Sequence, residues 1–323
     1  SPGTEAPAPT PAPVPIPEAV IDISAGVLEL LPANSSNWIE ARDGQAIQET
    51  ESLRTNSEGV GGLVFTDGTV IVLQPSTQIQ FNYFDLKKAG SEIVSRIGQI
   101  RLVSGLIAFD VTPAAYPPSV FEIGTGSEVV VIKGTEGFLS KTISETTDDG
   151  QPQEGEQQSA TVELSLLTGD AGILQVVPDE TGEATELRIF DIEPGTSLTL
   201  ESEVPADAEV GDSTSTIGTA QNGGQEPTPA ESLFDAGRVI LLGGAEAIEQ
   251  VQETGDINAG IQTALENLAS EPESQQAFQS LMDTGYFQTI EPSPGNEAQG
   301  PGVGPGSQGP GVAPQDMPGV GPS

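Results

Sequence analysis

A mainly β fold is what this 323-residue sequence predicts: a two-sheet or solenoid-like β-domain, then a short helical region, framed by disordered Pro- and Gly-rich termini. Three observations point that way. Between residues 20 and 202, short runs of Val, Ile, Leu and Phe recur between Gly, Asp, Asn and Pro, close to the roughly 8–12-residue spacing of a many-stranded domain. After residue 230 the apolar period becomes helical, and toward both ends apolar side chains nearly vanish.

The opening, residues 1–19, contains Ala6-Pro7-Ala8-Pro9 and Pro11-Ala12-Pro13-Val14-Pro15. Proline at alternate positions fixes φ and removes amide donors, so the expectation is an extended tether. Strands are then predicted over 26–31 and over 38–42, the second closed by Asp43-Gly44. The strongest hairpin signal is 62–73, where Asp67-Gly68 separates two apolar runs and suits the positive φ angles of a two-residue turn. Further strands are expected over 78–81, 97–102, 105–111, 120–123 and 129–132.

Residues 142–160 turn acidic and polar, with Asp148 and Asp149 beside Gly150, and offer little apolar surface to offset the entropy of ordering them. They read as a surface loop interrupting a β-domain over 20–202. Strands resume over 162–167 and 172–177, joined across Thr168-Gly169-Asp170, then over 186–190 and 197–200. Residues 203–229 read as a linker. In the helical region, 230–290, Ile257, Ile261, Leu265 and Leu268 share one face. The 234–248 stretch is apolar but interrupted by Gly243-Gly244, and Ser270 with Glu273 resembles a capping box ahead of Phe278, Leu281 and Met282. Helices this small are expected to pack on the β-domain or to dock a partner. The tail, 291–323, repeats Pro-Gly-Val from Pro301, Pro310 and Pro318 and should stay flexible.

Charge and composition exclude several functions. With 48 Asp and Glu against 10 Lys and Arg, the net charge is −38, so neither nucleic acid nor an anionic membrane is a fitting partner. Such acidity keeps a secreted protein soluble, or attracts cations or a basic partner. Cys and His are absent from the sequence, which rules out disulfides, thiolate metal sites and His-dependent triads. No run of about 18 apolar residues is present to span a membrane. The Ser-Pro-Gly-Thr opening has the look of a new terminus left by removal of a signal or anchor.

An ordered series of short motifs then stands out. It runs from Gly44 and 47–53 into Arg54-Thr55, through Phe65-Thr66-Asp67-Gly68-Thr69 and Gln74-Pro75-Ser76-Thr77. It continues over 98–102 and 105–111 into Thr112-Pro113, and closes on Lys133-Gly134-Thr135-Glu136-Gly137-Phe138. On these residues the β-region resembles the FecR family, an extracytoplasmic module first described in bacterial iron-signalling regulators. The resemblance implies an all-β domain that senses or binds other proteins and has no catalytic residues. It marks Asp67, Gly68, Thr69, Gly134 and Thr135 as structural turns. Regulator members carry a cytoplasmic anti-sigma segment and a transmembrane helix ahead of the domain, and this sequence shows neither.

Other chemistry is weakly represented. The stretch 134–142 imitates a phosphate loop but has Ser140 where the second Gly belongs. Gly124-Thr125-Gly126 lacks a third Gly and reads as a hairpin turn. Asp148 and Asp149 are the candidate Ca²⁺ ligands, without an EF-hand pattern; no other cofactor is expected. Trp38 reads as core, and no carboxylate pair stands out for glycoside hydrolysis. The leading expectation is a non-enzymatic binding or signal-sensing module of the bacterial envelope, periplasmic or at the cell surface, with an unidentified envelope protein as partner. The alternatives are a structural surface protein that self-associates with Ca²⁺, and a carbohydrate hydrolase.

Overall fold

The computed structural model describes residues 18–89, 92–113, 119–145, 158–178, 184–204 and 229–270, with 275, 278–279 and 281–282 beyond them. The expectations for the Pro-rich tether, for Asp148 and Asp149 in the acidic loop, for the linker, for Glu273 and for the tail therefore fall outside the described residues, wholly or in their main part.

The strands form two sheets that share one strand. An inner sheet runs β3 (Ile39–Glu40), β2 (Leu28–Leu31), β4 (Ser52–Thr55), β7 (Gln78–Ala89), β8 (Glu92–Asp110), β9 (Val120–Gly124), β10 (Glu128–Ile132), β13 (Ala171–Pro178), β14 (Ala184–Ile192). An outer sheet runs β1 (Ala19–Ala25), β5 (Val60–Phe65), β6 (Val70–Leu73), β8 again, β11 (Glu136–Glu145), β12 (Gln158–Thr168), β15 (Ser197–Val204). The pairs are antiparallel except β8 with β9.

The separately predicted strands over 97–102 and 105–111 are one strand. Up to Ser104, β8 pairs with β7 in the inner sheet; from Gly105 onward it pairs with β6 and β11 in the outer one. Gly105 makes the crossing with φ +98°, where a Cβ would stand 2.5 Å from the Thr77 hydroxyl oxygen. An L side chain is excluded there by both backbone and neighbour.

One turn expectation needs correction, and a second gains its context. The Asp67-Gly68 hairpin is longer than a two-residue turn: it closes where the Phe65 amide donates to the Thr69 carbonyl, and Gly68 carries φ +96°. Thr168-Gly169-Asp170 does turn the chain between the two expected strands, which go to different sheets. β12 pairs with β11 and β15 while β13 pairs with β10 and β14, so this turn is a corner between sheets. Turn residues report where the backbone must bend, not which sheet receives the next strand.

Between the sheets lies the larger core, built from Leu30, Leu53, Phe81, Ile100, Phe121 and Ile132 on one side and Leu63, Phe65, Ile71, Phe109, Leu139 and Leu164 on the other. Phe65 sits at its centre, 4.8 Å from Phe84 and edge-on to Phe121 at 5.4 Å, spacings within the favourable aromatic range. The far face of the inner sheet makes a second core with helices α1 (Pro229–Gly243), α2 (Ala245–Thr254) and α3 (Ile257–Ser270). This explains the continuous apolar run of β10. Val130 and Ile132 face the first core, Val129 and Val131 the second, and a strand covered on both faces loses the polar alternation.

The helices thus pack on the β-domain. Gly243 ends α1, and Gly244, with φ +87°, precedes α2. On α3, Gly260, Ala264 and Leu268 are buried while Ile257, Ile261 and Leu265 flank them half-buried. Ser270 is the last residue of α3 and its hydroxyl donates back to the Asn267 carbonyl. Trp38 is not core: it is half-buried and stacks on the Arg54 guanidinium at 4.1 Å. It stands just before the two-residue edge strand β3.

Candidate functional site

The motif residues, scattered along the sequence, meet at the corners where the chain passes between layers. At one corner the Thr55 hydroxyl donates to the Gln74 carbonyl and accepts from the Thr77 amide, while the Thr77 hydroxyl donates to Leu106. Arg54-Thr55 and Gln74-Pro75-Ser76-Thr77 are therefore one hydrogen-bonded unit beside Gly105.

A second corner is ionic. Asp67 accepts the Thr69 amide on Oδ1 at 2.9 Å, and on Oδ2 both the Thr69 hydroxyl at 2.9 Å and Arg96 Nη1 at 2.6 Å. Arg96 Nη1 also reaches the Thr112 carbonyl at 2.7 Å, and the Thr112 amide donates to the Thr69 hydroxyl oxygen. Both charged side chains are wholly buried. Asp67 thus does more than turn the chain: it fixes β8 of the inner sheet to the β5–β6 hairpin of the outer sheet. Arg96 Nε and Nη2 find no partner among the described residues.

The third corner begins beside Thr112. Pro113 packs on Gly134, where a Cβ would stand 2.7 Å from the proline Cα at φ +93°. The Thr135 amide donates to Val111, and its hydroxyl to the Asp170 carbonyl. Lys133, just before it, points the other way and donates to the Leu241 carbonyl in the last turn of α1 at 3.0 Å. A cation there complements the negative end of the helix. Burial lowers its pKa, with Asp191 and Asp170 opposing. Gly134 and Thr135 hold the sheets together while Lys133 holds the helix.

A second ion network anchors the middle of α1. Arg238 forks onto Glu122, Nε to Oε1 at 2.8 Å and Nη2 to Oε2 at 3.0 Å, and its Nη1 reaches Asp235 at 2.8 Å. Gln99 donates to the same Glu122. The outer and inner sheets are clamped again by Lys141, whose ammonium donates to the Thr125 carbonyl in the β9–β10 turn. Burial pushes this ammonium down to about 8, with Arg101 acting in the same direction and Glu128 against it. The Gly124-Thr125-Gly126 stretch is that hairpin turn, closed by the Thr125 amide on Glu128.

Elsewhere, Glu18 is raised by burial and by Glu49 and Asp85, Glu49 by burial, and the adjoining Tyr83 by burial and by the same three carboxylates. No group of three or more acidic side chains among the described residues could hold a metal ion.

Sequence reasoning missed Arg96, Glu122, Asp235 and Arg238. Each was visible as a charge inside an apolar run, as in Val120-Phe121-Glu122-Ile123 and Phe234-Asp235-Ala236-Gly237-Arg238-Val239. With 10 Lys and Arg in 323 residues, any cation so placed was worth a partner search.

These corners define the class: a mainly β, two-sheet domain whose layers are fixed to one another by threonine hydroxyls and buried ion pairs, with a helical cover. Residues 51–172 match the family model described as FecR protein. Two crystal structures of a proposed anti-sigma factor from Parabacteroides distasonis also match, each at 15% identity and a TM-score of 0.31, covering 49% of this chain. This chain spans 60% of their length. No curated protein matches. Among the described residues no helix is long and apolar enough to cross a membrane.

Proposed function

We propose that this chain is a non-enzymatic binding module of the bacterial envelope that takes part in signal sensing through protein–protein contacts. The observation that carries the reading is where the FecR-matched stretch puts its interior charges. Asp67, Arg96 and Lys141 are each committed to joining one layer to another. A buried charge in a catalytic centre would face a cleft and a reacting atom; these face other layers. A rigid scaffold that presents a surface is what such clamping supports, and the FecR match supports an extracytoplasmic location.

The test is site-specific photo-crosslinking of the full chain in its native cell, followed by reconstitution with the purified partner. A defined envelope protein that rebinds in purified form supports the proposal. Absence of any reproducible adduct, or turnover of a substrate abolished by one Asp or Glu substitution, overturns it. The net charge of −38 favours one second reading, a surface protein that self-associates when Ca²⁺ is held by Asp148 and Asp149. Ca²⁺-dependent ordered assembly in electron micrographs, lost in D148N/D149N, would support it.

A further inference from the structure

Among the described residues the two sheets are unequally covered. The helices fill the far face of the inner sheet around β9, β10, β13 and β14, whereas the far face of the outer sheet carries apolar side chains of its own. Val72, Ala108 and Phe138 are successive cross-strand neighbours on β6, β8 and β11. Val64 pairs with Val70 in the adjacent row, and Leu106 stands two residues before Ala108 on the same face. Phe138 is 40% and Leu106 38% exposed, and the other four are half-buried. Their inward mates Ile71, Ile107, Phe109 and Leu139 already fill the core, so this second apolar set is not needed to close it. A contiguous block, unlike scattered single residues, marks a contact surface.

The margin of the block is anionic. Val70 pairs with Asp110 and Asp110 with Glu136, Asp22 lies in the Val72 row beyond Gly62, and Glu163 flanks Ser140; all four carboxylates are exposed. Among the described outer-sheet residues from Gly105 onward, and in β1, β5, β6, β12 and β15, the sole cation is Lys141, and it is buried. A second copy of this chain would bring another −38 against these carboxylates, and an anionic lipid surface would be repelled in the same way. We infer that the outward face of the outer sheet docks a protein segment with an apolar centre flanked by Lys or Arg. This rests on the proposed binding function and assigns it a surface.

The probe is a labelled peptide of alternating Leu and Lys, with Leu/Glu and Ser/Lys peptides as controls, titrated by fluorescence anisotropy at physiological salt. The intact chain should bind the Leu/Lys peptide, and L106S/F138S should weaken it by about tenfold or more. D110K/E136K should weaken the same peptide and strengthen the Leu/Glu one. Ile39→Ser, which changes an exposed apolar residue at the edge of the inner sheet, should bind as the parent does. Since Leu106 and Phe138 are exposed, unchanged thermal unfolding of L106S/F138S checks that only the surface was altered. Equal binding by parent and L106S/F138S overturns the inference, because general acidity would then explain the attraction. So does a concentration-dependent dimer, or binding to anionic vesicles, that L106S/F138S abolishes. A crosslinked partner whose binding survives L106S/F138S defeats this surface and leaves the binding function standing; no partner at all defeats that function instead.

Discussion

Arg96 and Arg238 are both withdrawn from water and both paired with a carboxylate, but they join different layers. Arg96 lies within the FecR-matched stretch and ties the inner sheet to the outer through one nitrogen, Nη1, shared among Asp67, Thr69 and Thr112. Arg238 lies on α1, outside that stretch, and uses all three nitrogens on Glu122 and Asp235. The first pair belongs to the interior of one sandwich. The second is an interface between the sandwich and a cover that comes later in the sequence. A buried ion pair contributes little net stability, because desolvation offsets the Coulomb gain, but it penalises any arrangement that leaves one member alone. Here the two pairs select how the layers align: sheet on sheet, then helix on sheet.

The largest expected effect breaks the second pair. Arg238→Ala leaves Glu122 buried without its guanidinium and should cost about 3–5 kcal/mol. The loss should be local: hydrogen exchange should rise throughout α1–α3 while β5, β6 and β9 stay protected. Exchange rising equally in the sandwich would mean that cover and sandwich unfold as one unit, and the contrast with Arg96 would disappear.

Asp67→Asn is the matching change in the first pair. The amide keeps the turn but loses the charge facing Arg96, at a cost of about 2–3 kcal/mol. Denaturant unfolding should keep one transition with a lower midpoint, since both sheets lose their registration together. A separate early transition of the helices in this variant would contradict the assignment.

Lys141 sharpens the comparison through pH. Its folded pKa, about 8, lies below the ordinary lysine value of 10.5, so the unfolded chain binds the extra proton between those values. Stability should therefore rise as pH goes from 8 toward 10.5, by something on the order of 1–3 kcal/mol. The test is the difference between parent and K141M from pH 8 to 10, below the range where Tyr83 ionises; parallel curves would show that the ammonium is not desolvated.

The smallest effect is at the surface. Glu186 and Arg188 pair at 2.8 Å on β14 with both side chains about half-exposed, so Glu186→Ala should shift stability within about 0.5 kcal/mol. A larger loss would mean that the contrast between buried and exposed pairs is drawn too sharply.

Much of the fold was legible one element at a time. Strands at 129–132, 162–167 and 172–177 could be read from their apolar runs, and the Gly243-Gly244 interruption does separate two helices. Gly134 and Thr135 were recognisable as a place where the chain bends, since few residues other than Gly accept such a backbone. The β7–β8 hairpin was underread because residues 82–96 mix Lys and Asp with Leu, Phe and Tyr, which breaks up the apolar run that marks a strand. Trp38 went the other way, because large apolar bulk argues for a core and cannot say that the strand after it will be a two-residue edge.

The sequence by itself determined the strand-forming runs, the bends between them, the helical period after residue 230 and the excess of negative charge, because each depends on neighbours a few residues away. The tertiary structure decided which sheet each bend feeds, which cations go inside, and which sheet face the helices cover. Asp67 meets Arg96 across 29 residues and Glu122 meets Arg238 across 116. Pairings at that range are set by competition among all the surfaces that could cover a given face, and no local window contains that competition.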